Sequence, residues 1–137
     1  MTPVSKAVWG PAAWTLMHAA AAACDDETAA GFCAFLYSLT HVLPCPECRA
    51  HLYDYVRAHP PDEHIKDAQT ASRYCFDLHN YVNVQTGKAS QPPRILYNMY
   101  KVRLEDLDQG AASSTQVSSY AASRRSQRYR RRSFHIL

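Results

Sequence analysis

The stretch Phe32-Cys33-Ala34-Phe35-Leu36-Tyr37-Ser38-Leu39-Thr40-His41-Val42-Leu43-Pro44-Cys45-Pro46-Glu47-Cys48 decides the fold. Its apolar residues Phe32, Phe35, Leu36, Leu39 and Leu43 recur at intervals of three and four, the period of a helix with one buried face. Asp25 or Asp26 stands where that helix needs a cap. Leu43-Pro44 ends it, because a proline disfavours helical geometry in the residue before it. Pro46 then suits the first position of a new helix, where its missing N–H would be unpaired anyway, and Cys45 takes the cap position. Two cysteines therefore straddle a helix start.

The same signals extend outward in both directions. Pro11 is read as the first residue of a helix running to about Ala23. Beyond the cysteines, Leu52, Tyr53 and Val56 continue the third helix, and His59-Pro60-Pro61-Asp62 breaks it. A fourth helix is expected from about Lys66 to Val84, stopping near Gly87. Pro92-Pro93 opens a short fifth helix bearing Ile95, Leu96, Met99, Tyr100 and Leu104. No alternating strand pattern or hairpin signature occurs. The chain reads as all-α: a four-helix bundle plus a short fifth helix.

Charge divides the chain at Asp108. All 12 acidic residues lie at or before it, whereas Arg124, Arg125, Arg128, Arg130, Arg131 and Arg132 follow it without an acid. The expected organisation is a folded domain over residues 1–108 and a Ser/Ala/Arg-rich basic tail over 109–137, too polar to build a core. No apolar run is long enough to span a membrane, and the start lacks the pattern of a secretory signal. No membrane association and an intracellular location are expected. Five cysteines cannot all pair within one chain, and a lone CxxC in a reducing compartment is more often catalytic or metal-binding than structural.

A dithiol at a helix N-terminus is poised for exchange, since unpaired N–H groups and the positive dipole end favour the attacking thiolate. Cys45, at the cap, is the more open to an incoming thiolate, and Cys48 is placed next to an electron acceptor. Net oxidation needs such an acceptor, a flavin for example. Phe76, His79, Asn80 and Asn83 share one helical face, and Gly10, Trp14 and His18 lie in a row on the first helix. Two such faces can enclose a planar heteroaromatic ring. Lys88 and Lys101 offer charge for a pyrophosphate, while Trp14, Tyr97 and Tyr100 offer rings for stacking. No GxGxxG loop is present, so any dinucleotide is held outside a Rossmann fold.

These residues resemble the Erv/ALR family of FAD-dependent sulfhydryl oxidases. The likeness rests on WGPAAWTLMH, PCPEC and HNYVN with a following lysine, across roughly Val8 to Arg103. It implies a five-helix bundle holding FAD, an active disulfide Cys45–Cys48 with Cys48 nearer the flavin, and oxidation of protein dithiols by O2 to give H2O2. It also implies FAD contacts at Gly10, Trp14, His18, Phe76, His79, Asn80, Asn83, Lys88, Tyr100 and Lys101, and a homodimer. Cellular members commonly carry a second, structural cysteine pair and a shuttle pair. Nothing after Cys75 is a cysteine here, so the chain is similar to the compact forms encoded by large DNA viruses, whose substrate is a separate disulfide-shuttle protein. Host cytoplasm or virion is the location this implies.

Plainer readings stand beside these. Cys45, Cys48 and His51 could belong to a zinc site in a helical zinc or nucleic-acid adaptor, although no second metal knuckle is present, and no metal is expected. Trp14, Phe76, His18 and His79, taken singly, are ordinary core residues; their joint placement favours the cofactor. Cys24 and Cys33 read as buried thiols ahead of a shuttle pair, and Cys75 as core. The arginine run reads as a solvated tail, with nucleic-acid contact as its sharper alternative.

Overall fold

A computed structural model describes residues 4–101; the side chain of Tyr97 and everything from Val102 onward, including Leu104 and the basic tail, lie outside the described residues. Helices α1 (Lys6–Ala22), α2 (Ala29–Val42), α3 (Pro46–Ala58) and α5 (Ala68–Gln85) form the bundle, with a single turn α4 (Pro61–His64) and a short α6 (Arg94–Tyr100). No strand occurs among the described residues. Leu36 and Leu78 are fully buried at its centre, surrounded by Met17, Phe32, Cys33, Leu52, Tyr55, Val56 and Cys75. A smaller cluster joins Phe76 to Leu96, with Ile95 and Tyr100 against it.

Local chemistry sets the boundaries. The Asp67 carboxylate accepts from the Thr70 N–H at 2.8 Å while the Thr70 hydroxyl accepts from the Asp67 N–H at 3.0 Å, a reciprocal cap at the start of α5. Gly87 closes that helix at φ 74, where a glycine carries no steric penalty. Lys88 N–H then reaches the Asn83 carbonyl at 2.7 Å and Gly87 N–H the Val84 carbonyl at 3.2 Å, the paired bonds of a Schellman stop. Asp25 organises the turn before α2, its carboxylate accepting from the N–H groups of Glu27 at 3.1 Å and Thr28 at 2.9 Å. The cap position of α2 itself is Thr28, whose side chain makes no cap hydrogen bond, so the expected aspartate cap sits one turn early, on the turn that leads into the helix.

Two boundaries differ from the sequence reading. The first helix begins at Lys6, five residues ahead of Pro11, which lies inside it. Proline removes only the bond to the Ala7 carbonyl, and Ala7 is exposed, so that acceptor is not left buried. The helix is started instead from the Ser5 carbonyl, which accepts from Val8 at 2.9 Å and Trp9 at 3.3 Å. The break at Pro60-Pro61 also contains a helical turn, because Pro61 suits a first helical position and Ile65 N–H closes on its carbonyl at 2.8 Å.

Pairings fix the helix directions. Tyr55 faces Tyr81 at 5.3 Å between ring centres, and four residues later the His59 carbonyl accepts from the Tyr74 hydroxyl at 2.6 Å, so α3 and α5 are antiparallel. Trp14 meets His79 and the Met17 carbonyl meets Cys75 Sγ, so α1 and α5 are antiparallel too. The N-terminal halves of α1 and α3 therefore lie at the same end of the bundle as the C-terminal half of α5. That end carries Gly10, the two cysteines, Asn83 and Lys88.

Candidate active site

Cys45 and Cys48 form a disulfide, with Cα atoms 5.2 Å apart. Cys45 has extended backbone geometry at the cap of α3, and its Sγ accepts from the Cys48 N–H at 3.1 Å. That bond directs a helix N-terminal donor at sulfur, which lowers the cost of charge on Cys45 when the disulfide opens. Both residues are half-buried, so exposure does not separate their roles.

The other three cysteines are free and buried. Burial raises the thiol pKa of Cys24 and Cys33, and pushes Cys75 up to about 12. Thiols so disfavoured as thiolates do not exchange, which leaves one redox pair in the described chain. No group of three or more His, Cys, Asp or Glu side chains is placed to hold a metal ion among the described residues. The zinc-adaptor reading therefore finds no ligand set, and both of its cysteines are tied in the disulfide.

Sixty-one residues apart in sequence, His18 and His79 meet with Nε2 and Nδ1 at 3.0 Å. One of these nitrogens donates and the other accepts. Trp14 stacks on His79 at 3.8 Å with the planes 2° apart, and Tyr100 covers His18 at 5.5 Å. Burial lowers the His18 pKa. Burial first, then the neighbouring His18 and the Lys88 charge, lower His79 to about 4. The pair is neutral at pH 7 and shares one proton along its hydrogen bond.

Because these folded-state values lie below the ordinary 6.5, the unfolded chain binds more protons as pH falls. Stability is expected to be lost between pH 6.5 and about 4, by up to about 3 kcal/mol for His79. Urea unfolding at pH 7.5 and pH 4.5 measures the difference, and His79→Phe should flatten it.

The remaining expected contacts fall around this cluster in different ways. Phe76 is buried against Leu96 and beside Tyr100. Asn83 is 6% exposed and accepts Lys88 N–H through its main chain. Asn80 is already engaged: its carboxamide accepts from Gln91 N–H at 2.8 Å and donates to the Gln91 carbonyl at 3.1 Å, tying the loop after α5 to the helix. A cross-loop bond of this kind left no mark in the spacing of the sequence. Lys88 and Lys101 are exposed, and Lys101 ends α6 in the left-handed region at φ 59. Gly10 lies one turn before Trp14; a Cβ there would meet Lys6 Cγ at 3.8 Å, an ordinary contact with a flexible side chain.

These features fit a planar, polar, aromatic group. His18 Nδ1 is buried without a hydrogen-bond partner among the described residues, a cost of about 1–3 kcal/mol that a ligand atom would relieve. Trp14 and His79 are in direct contact, so a bound ring would have to sit outside this pair and not between its members.

Arg49 was not singled out by the sequence, yet it belongs to this site. Its guanidinium bonds to the Leu43 carbonyl across the disulfide loop. The only signal was its position directly after Cys48.

Comparison with known proteins points the same way. The chain is 26% identical over 117 residues to 096R of Invertebrate iridescent virus 3, named as a FAD-linked sulfhydryl oxidase, covering 82% of this chain and 78% of that protein. It is 32% identical over 90 residues to R368 of Acanthamoeba polyphaga mimivirus, also named as a FAD-linked sulfhydryl oxidase, covering 62% of this chain and 63% of that protein. The crystal structure of the yeast Erv1 core shares the fold, with a TM-score of 0.65 over 74% of this chain and 87% of that chain at 24% identity. The model of the Erv1 / Alr family matches residues 11–103, from the second turn of α1 to just past α6, and takes in the expected site residues from Trp14 to Lys101. The chain belongs to the Erv1/Alr family.

Proposed function

We propose that the protein is a FAD-linked sulfhydryl oxidase that forms disulfides in protein substrates and passes the electrons to O2. The observation that carries this is the Cys45–Cys48 disulfide on the cap of α3, at the bundle end that also carries Gly10, Asn83 and Lys88. Overall, two substrate thiols and O2 become one disulfide and H2O2.

A substrate thiolate attacks Cys45 Sγ, forming a mixed disulfide and releasing Cys48 as the leaving thiolate. The second substrate thiol resolves the mixed disulfide, leaving Cys45 and Cys48 reduced. FAD, when bound, supplies a two-electron acceptor that O2 reoxidises. Trp14, His18, His79 and Tyr100 hold its rings, Phe76 and Asn83 line the same face, and Asn80 fixes the adjoining loop. Gly10 leaves room for close approach, and Lys88 and Lys101 answer the pyrophosphate charge. His18 Nδ1 gives a ligand atom one buried hydrogen bond.

The substrate is a protein dithiol or a separate disulfide-shuttle protein, since all three other cysteines are buried thiols. No described helix is long and apolar enough to cross a membrane. Both viral relatives support an intracellular setting, host cytoplasm or virion. Val8 and Leu16, on one face of α1, are 72% and 58% exposed beside exposed Ala12 and Ala19, an apolar stripe suited to a homodimer. The arginines of residues 109–137 suit salt-sensitive contact with nucleic acid.

Oxygen uptake with dithiothreitol, read together with metal analysis, tests the reading. Stoichiometric flavin, oxygen consumption and peroxide release are expected; stoichiometric zinc in a colourless protein would support the adaptor instead.

A further inference from the structure

Arg49 follows the redox pair directly, and its side chain folds back over the loop that carries it. One guanidinium nitrogen donates to the Leu43 carbonyl, and the Arg49 main-chain N–H donates to the Cys45 carbonyl at 3.0 Å. Leu43 is the cap residue at the C-terminal end of α2, where the helix dipole concentrates negative charge. The guanidinium thus neutralises an end that would otherwise turn partial negative charge toward the disulfide loop. Leu43 is two residues from Cys45, a chain reach of about 7 Å, so the cation is held on the short segment that leads directly into the first redox cysteine. Arg49 is half-buried and forms no ion pair among the described residues, so its charge acts unneutralised.

We propose that Arg49 is a positioning residue for disulfide exchange: it pins the Leu43–Cys45 link, and its charge stabilises the thiolates formed when the Cys45–Cys48 bond opens. The proposal rests on the reading of that disulfide as the exchange centre. In each cycle the Cys45–Cys48 bond breaks, the two substrate sulfurs join, and two electrons pass from substrate to protein. The substrate protons go to solvent or to the protein thiols. A cation at this place favours the charged products, so the disulfide is a better acceptor of substrate electrons and its lower-pKa thiol ionises at lower pH.

The test uses the full chain equilibrated in glutathione redox buffers under anaerobic conditions, with Cys45 and Cys48 trapped by alkylation and counted by mass spectrometry. The rate of alkylation against pH gives the thiol pKa. Arg49→Met is expected to reduce the equilibrium constant for disulfide reduction about tenfold, a potential about 30 mV more negative, and to raise the thiol pKa by about one unit. Arg49→Lys, which keeps the charge without the planar fork, should stay within about threefold of the parent. An unchanged potential and thiol pKa in Arg49→Met would overturn the proposal. So would Arg49→Lys shifting as far as Arg49→Met, since the fork alone would then account for the effect. If Arg49→Met does not fold, Arg49→Gln takes its place with the same expected shift, and an unchanged thiol pKa there overturns the proposal. Alkylation reads this disulfide whether or not flavin is bound, so a chain without flavin sinks the oxidase reading and still leaves the role of Arg49 measured.

Discussion

Cys48→Ser is expected to lose dithiol oxidation by roughly a thousandfold or more while the protein stays folded and yellow. The serine hydroxyl is close in size to the thiol and keeps the N–H that points at Cys45, so the start of α3 persists. What disappears is the disulfide itself, and no other pair stands in reserve. Cys24, Cys33 and Cys75 are buried with raised thiol pKa values, and Cys75 at about 12 carries almost no thiolate at neutral pH. Oxygen uptake with dithiothreitol, normalised to bound flavin, measures the loss. Substantial turnover in the variant would mean that electrons reach O2 by a route that bypasses this pair.

The second large effect concerns the ring cluster. Trp14→Ala should strip most of the flavin from the purified protein, because it removes the ring stacked on His79 at 3.8 Å and unpins an imidazole held by only one hydrogen bond. Losing an aromatic contact and loosening that bond costs about 2–4 kcal/mol, or roughly 30- to 1000-fold in affinity. His79→Phe is the sharper companion. It preserves a ring against Trp14 but leaves His18 Nε2 unpaired beside the already orphaned Nδ1, so a loss of about 10-fold or more is expected. The ratio of visible to ultraviolet absorbance reports occupancy, and melting with and without excess FAD separates weak binding from poor folding. Retention of full flavin by both variants would remove this cluster from the cofactor site.

Much of the frame was legible because short-range rules govern it. The stripe Phe32, Leu36 and Leu39 is buried, Pro46 opens α3 behind the Cys45 cap, and Gly87 stops α5 by the motif its position suggested. Those signals depend on residues within one or two turns of each other. Pro11 misled for the same reason: the rule that favours proline at a helix start does not forbid one inside, where a single carbonyl, at an exposed residue, loses its partner. The site was legible as two faces and not as contacts. Spacing put His18 and His79 on suitable helices, yet their bond spans 61 residues and depends on the packing of α1 against α5. Asn80 shows the limit from the other side, since its place on the same face as His79 gave no hint that Gln91 would take its carboxamide. Arg49 was invisible because its partner is a main-chain carbonyl, which every residue possesses.

The central claim is that dithiol electrons enter at Cys45–Cys48 and leave through a bound flavin. The visible spectrum of the purified protein, recorded before and after anaerobic addition of dithiothreitol, tests it directly. A flavin band in the blue that bleaches on addition and returns when air is admitted is the predicted result. A folded protein without that band, or with a band that dithiothreitol leaves untouched, would contradict the account.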